Sequence, residues 1–165
     1  MKKQKGFSLI ELLIVVAIIL IIAAIAIPNL LRAKISANEA SAVGSMRTIV
    51  TGEISYAAAG WTNGTVPVGY SVALADLGGA GGCNPPSSTA TCLIDPVLAN
   101  ASTAATAKSG YFFTYTQTNA GQGFTVAGAP SAPGQTGSRY FFADQSGVIR
   151  FNPSAAATAS DNPLQ

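Results

Sequence analysis

Apolar side chains crowd one end of the chain. Leu12 to Ile27 (LLIVVAIILIIAAIAI) runs for 16 residues without a polar group, and Phe7 to Glu11 lengthens the stretch to 21. At 1.5 Å rise per residue such a helix is roughly 31 Å long, close to the hydrocarbon thickness of a bilayer. The segment 7–28 is therefore predicted to span a membrane once. Over 29–58 the pattern changes: Ile35, Ala42, Met46, Ile49 and Ile54 recur at spacings of 7, 4, 3 and 5, which leaves Arg32, Lys34, Glu39, Arg47 and Glu53 for the other faces. This predicts an amphipathic continuation of the helix whose apolar stripe covers the domain's own sheet. Between the two stretches Pro28 lacks an amide hydrogen, so a bend or local melting is expected at Ile27 and Pro28. Gly44 and Gly52 each weaken a helix by about 1 kcal/mol relative to alanine, a compliance suited to an assembled rod.

Helical periodicity fades near Gly60, and 59–109 reads as a loop region rich in Gly, Ser, Thr, Ala and Pro. Its cluster Gly78-Gly79-Ala80-Gly81-Gly82 lacks the Lys-Ser/Thr of a phosphate-binding loop and reads as a flexible turn. The remainder, 110–165, has strand composition. Tyr111 to Thr116 and Gly123 to Ala127 flank a turn at Asn119-Ala120-Gly121, and Arg139 to Ala143 and Val148 to Phe151 flank Asp144-Gln145-Ser146-Gly147, whose Asp first and Gly last suit a type I turn. About four antiparallel strands with one apolar face need a cover, and the outer half of the helix is available for it. The expected fold class is α+β, a long N-terminal helix packed on a small antiparallel sheet. Trp61 and Tyr70 are expected in the core, and Pro153 to Gln165 is a small-residue tail that orders only if it docks.

Charge narrows the function. Nine basic residues face seven acidic ones, but Lys2, Lys3 and Lys5 lie in the first five positions, and without them the balance is −1. That excludes an electrostatic grip on nucleic acid. Histidine is absent, which disfavours most metal sites and His-based catalysis, and no cofactor is expected. Lysines flank only the N-terminal side of the apolar run, so the positive-inside tendency keeps Met1 to Lys5 in the cytoplasm and exports everything after Pro28. In an exported, oxidising location Cys83 and Cys92 are expected to pair, closing a loop of about ten residues. Beyond the helix Asp76, Asp95, Asp144 and Asp161 are too scattered for a two-carboxylate catalytic site. Asp144 and Asp161 are weak calcium candidates, and Asp144 is better read as a turn residue. Asn63-Gly64-Thr65 and Asn100-Ala101-Ser102 match a glycosylation acceptor that a bacterial surface protein need not use.

Glu11 is the anomaly. An ionised carboxylate well inside a bilayer costs on the order of 3 kcal/mol, less near the interface, so it is a functional-site hypothesis that calls for a partner. Cleavage between Gly6 and Phe7 supplies one, a new ammonium on Phe7, about one helical turn from Glu11. The helix's own N-terminus also attracts the carboxylate. The sharper reading is intermolecular: Glu11 of one chain neutralises the Phe7 ammonium of the next and sets the axial register between subunits. The competing reading is a secretory signal peptide cut after Ala24-Ile25-Ala26, which leaves Ile27 as the mature terminus. A run at the long end for such a signal, with a glutamate inside it, opposes this.

The stretch KGFSLIELLIVVAIILIIAAIAIPNLL resembles the prepilin signature of type IV pilins and of type II secretion pseudopilins. The likeness rests on the Gly6/Phe7 junction, on Glu11 as fifth residue after the cut and on Pro28 as twenty-second, and it covers roughly the first third of the chain. It implies cleavage after Gly6 (leader 1–6) by a membrane prepilin peptidase, N-methylation of Phe7, and a ladle-shaped subunit whose helices form a filament core with copies of itself and other pilins. An inner-membrane assembly platform with a cytoplasmic ATPase is implied as well. The expected role is thus a structural pilus subunit rather than an enzyme. It is held in the inner membrane before assembly and in a periplasmic or cell-surface filament afterwards. The alternatives are a secretion pseudopilin acting as a piston, a membrane-anchored binding module that never polymerises, and an exported enzyme released after Ala26. For the binding module, replacing Glu11 with alanine leaves surface display unchanged. The resemblance also implies a calcium site near the C-terminus for major pseudopilins, where this chain offers only Asp144 and Asp161.

Overall fold

The structure is a computed structural model that describes residues 7–63, 66–67, 69–79 and 82–164. It divides into two compact units, Met1–Lys34 and Ile35–Gln165. Helix α1 is Leu9–Ala58. A two-residue antiparallel pair follows, β1 (Thr62–Asn63) with β2 (Val66–Pro67), then a 3-10 turn at Leu74–Leu77, the single-turn helix α2 (Pro96–Ala99) and a second 3-10 turn at Ala104–Thr106. The main sheet is antiparallel in the order β3-β4-β5-β6-β7, comprising Tyr111–Thr118, Gly123–Pro130, Tyr140–Asp144, Arg150–Asn152 and Asn162–Pro163. The fold class is α+β, as the sequence predicts.

Alternation along the strands sets the core. Tyr111, Phe113, Phe124, Val126, Phe141 and Ala143 occupy alternate positions, and all are buried. In register Phe113 faces Gly128, Val126 faces Ala143 and Phe141 faces Phe151, so the large side chains rise from one face. Ala42, Met46, Ile49, Val50 and Tyr56 of α1 close the same cluster. The stripe of the sequence reading needs correction at both ends. Ile54 is 54% exposed, whereas Glu39 and Glu53, left to the other faces, are 5% and 0% exposed.

The long loop region contributes more than connection. Leu74, Leu77, Ile94, Leu98, Ala99 and Ala101 all enter the core cluster. Gly52 admits them: a Cβ there would stand 3.1 Å from Ile94 and 3.4 Å from Leu77, so this helix glycine has a packing reason rather than one of compliance. The Cys83–Cys92 disulfide is formed, with Cα atoms 6.0 Å apart. Gly79 lies against both sulfurs, and any side chain at that position would collide with them. Its place is a close approach instead of a flexible turn; Ala80 and Gly81 lie outside the described residues.

The turn at Asp144 forms as expected, with Gly147 N–H donating to the Asp144 carbonyl at 3.0 Å. The tail docks and adds a fifth strand that the sequence reading did not place. Leu164 N–H donates to the Ile149 carbonyl at 2.8 Å, and Arg150 Nη1 donates to the Asp161 carbonyl at 2.9 Å.

Candidate functional site

From Leu12 to Ile27 the large apolar side chains point outward: Ile18 is 51% exposed, Ile25 64%, and Phe7 at the start 79%. The helix is long and apolar enough to cross a membrane, and none of its most apolar window is buried within the protein. An exposed apolar surface of this extent marks contact with a nonaqueous partner. Glu11 stands at its N-terminal end, where its Oε2 accepts the Ser8 amide hydrogen at 2.9 Å. In a lone chain the carboxylate thus caps its own helix, as anions at helix N-termini do. Phe7, one residue earlier, carries the atom that a cut after Gly6 would turn into an ammonium; Gly6 and the three leader lysines lie outside the described residues.

Pro28 does not melt the helix, which continues through it. Proline removes one donor from the Ala24 carbonyl and crowds the preceding turn. In the same turn the Asn29 side-chain amide donates to the Ile25 carbonyl at 3.0 Å.

The other candidates scatter. Asp144 ends β5 with its Oδ1 accepting the Ser146 amide at 2.9 Å. Asp161 binds Asn152 Nδ2 at 2.9 Å and the Thr158 amide at 2.7 Å. These Thr158 and Asn152 hydrogen bonds hold the Asp161 carboxyl below its usual range. Because Asn152 pairs with Tyr140, the two aspartates sit at opposite ends of β5, about 13 Å apart along the strand. They do not converge on one cation. Among the described residues no group of three or more acidic or cysteine side chains is placed to hold a metal. Of the acceptor motifs, Asn100 turns its side chain onto the Pro96 carbonyl at 2.8 Å, while Gly64 and Thr65 lie outside the described residues.

The sequence reading missed the two buried glutamates. Glu39 Oε1 accepts the Ser138 amide, the Ser138 hydroxyl and the Arg139 amide at 2.9, 2.9 and 3.1 Å, and Oε2 accepts Arg139 Nε at 2.7 Å. Burial alone would raise its pKa, but these donors outweigh burial and hold the carboxyl below its usual value. The guanidinium also lies 5.9 Å from the Phe141 ring centroid and 5.7 Å from that of Phe151. Glu53 binds Ser71 through the amide at 3.0 Å and through the hydroxyl. Both carboxylates tie a loop to α1.

Against known proteins, residues 1–27 match the family model described as the prokaryotic N-terminal methylation motif. The type IV wide pilus major component PilA4 of Thermus thermophilus is 64% identical over 39 residues, 24% of this chain and 30% of that protein. The type IV major pilin protein PilA of Myxococcus xanthus is 43% identical over 54 residues, 33% of this chain and 24% of that protein. The match thus spans 24 to 30% of the length of these relatives. No solved structure matches it. The N-terminal segment carries the methylation motif and is homologous to that of type IV pilins; the unit that follows is described by its own structure alone.

Proposed function

We propose that the chain is a structural subunit of a bacterial type IV pilus, cleaved after Gly6, N-methylated at Phe7 and polymerised through its apolar helix. The observation that carries this reading is the exposed apolar surface between Phe7 and Ile27 with a single carboxylate, Glu11, at its start. Twelve large aliphatic side chains lie between Leu12 and Ile27. At about 1.5 to 3 kcal/mol each, meeting water instead of an apolar phase costs tens of kcal/mol. The segment therefore exchanges one apolar solvent for another: lipid while the subunit is stored, neighbouring helices once it is assembled. It leaves the bilayer only into a filament.

Glu11 fits the second environment. Among the described residues it has one backbone donor, and in the filament the Phe7 ammonium of a neighbouring copy joins it, so a subunit at the wrong height leaves two unpaired charges in an apolar core. A membrane prepilin peptidase exposes that ammonium, and an inner-membrane platform with a cytoplasmic ATPase supplies the work of extraction. The pilus is preferred over a secretion piston because both relatives above are named as pilus components. Mass analysis of the mature chain tests the reading. A monomethylated Phe7 terminus is expected, and an Ile27 terminus overturns it.

A further inference from the structure

Two carboxyl groups lie fourteen residues apart on one face of α1, and their hydrogen-bond donors are unequal. Glu39 has four donors, one of them a guanidinium. Around Glu53 polar hydrogens are scarce. The Ser71 amide donates to Oε2 at 3.0 Å. Ser71 Oγ touches Glu53 Oε1 and also lies 3.1 Å from the Ala73 carbonyl, yet a serine hydroxyl has one hydrogen to give. The Tyr115 hydroxyl gives its single hydrogen to the Ser71 carbonyl at 2.9 Å. The Ala73 carbonyl already accepts the Asp76 amide at 3.0 Å, so both donors to an ionised Glu53 come from Ser71, both are neutral, and at 0% exposure no cation pairs with the carboxylate among the described residues. A neutral acid removes the uncompensated charge and keeps every contact: Oε1–H donates to Ser71 Oγ, Ser71 O–H donates to the Ala73 carbonyl, and Oε2 keeps the amide.

We propose that Glu53 is held as the neutral acid and forms with Ser71 a pH-responsive latch that fixes the Tyr70–Leu77 segment to α1. The titratable groups facing it are Tyr56 on α1, Asp76 on the 3-10 turn and Tyr115 on β3. Burial raises the Glu53 pKa above its usual value, and the Asp76 charge acts in the same sense. The Ser71 hydrogen bonds oppose that rise without reversing it. Burial likewise raises Tyr56 and Tyr115, so both stay neutral phenols and add no charge. A folded pKa above the unfolded one means that the latch is at full strength below the ordinary glutamate value of about 4.3. It then weakens as pH rises through the folded value.

The test uses the full chain in detergent micelles. Carbon NMR follows the Glu53 carboxyl, and hydrogen exchange follows the Ser71 amide. The carboxyl is expected to titrate above the ordinary glutamate range, as burial without a cation demands. After correction for intrinsic exchange, protection of the Ser71 amide falls about tenfold per pH unit between the ordinary and the folded pKa, then levels off. Glu53→Gln, whose amide can donate to Ser71 Oγ, abolishes that slope and leaves protection at or above the level at which the wild-type chain flattens off. Titration of the wild-type carboxyl near its ordinary value overturns the latch and needs no variant. So does a Glu53→Gln chain that loses tenfold or more of Ser71 protection with the slope retained.

Discussion

Phe124→Ala is expected to cost the unit beginning at Ile35 about 4 kcal/mol of stability, in the range for a buried phenylalanine truncated in a packed core. Phe124 is fully buried, with its ring edge-on to Tyr70 at 4.9 Å and stacked on Tyr115 at 5.9 Å. Removing it leaves both tyrosines facing a void. Tyr115 also donates to the Ser71 carbonyl, and the Tyr70 amide donates to the Gly121 carbonyl at 3.0 Å, so the void loosens the loop as well as the sheet. Denaturant unfolding followed by the fluorescence of Trp61, the single tryptophan, measures the effect because this residue packs against the same core. A loss below about 1 kcal/mol would mean that the site collapses freely, contrary to the packing described.

Glu39→Ala is the second large effect, about 3 kcal/mol. The variant leaves the Ser138 and Arg139 amides, the Ser138 hydroxyl and the partly exposed Arg139 guanidinium without their acceptor, and several donors deserted at once are costly. Glu39→Gln is expected to fall between, since it keeps an oxygen acceptor but loses the charge. The pH dependence has the opposite sign to that of Glu53. Because the folded Glu39 pKa is lowered, its stabilisation is complete above the ordinary value of about 4.3 and fades as pH falls through the folded value. Acid unfolding of Glu39→Ala is therefore shallower than that of wild type. Equal acid slopes in the two proteins would show that Glu39 carries no linked proton.

These two glutamates also mark where the sequence was legible and where it was not. Residues 39, 42, 46, 49, 53 and 56 alternate in steps of three and four, the spacing of one helix face, and all six are buried. Counting apolar residues alone skips the two glutamates and drifts to Ile54, whereas counting positions regardless of polarity would have found them. What satisfies each carboxylate, Ser138 and Arg139 for one and Ser71 for the other, lies far along the chain and has no local signal. The strands were legible because aromatic and β-branched residues alternate over Tyr111 to Ala127 and Arg139 to Phe151. β7 was not, since Asn162 and Pro163 have no strand propensity and are held by Asp161, Arg150 and Asn152. The loop region hid its core residues because Leu74 with Leu77 and Ile94 with Leu98 are isolated pairs, three and four residues apart, too short to establish a period. The N-terminal segment needed no tertiary information, since sixteen consecutive apolar residues leave little choice of environment.

Whether that segment lives in two apolar environments is measurable at one position. Ile18 sits midway along it, 51% exposed in the single chain, and both native cysteines are in the disulfide, so Ile18→Cys introduces the one free thiol. A fluorophore on that thiol is compared in vesicles and in purified filaments, using one quencher carried on lipid tails and another dissolved in water. The account predicts quenching by the lipid-borne probe in vesicles and protection from both probes in filaments. Quenching by the aqueous probe in filaments, or filaments whose subunits lack residue 18, would contradict it.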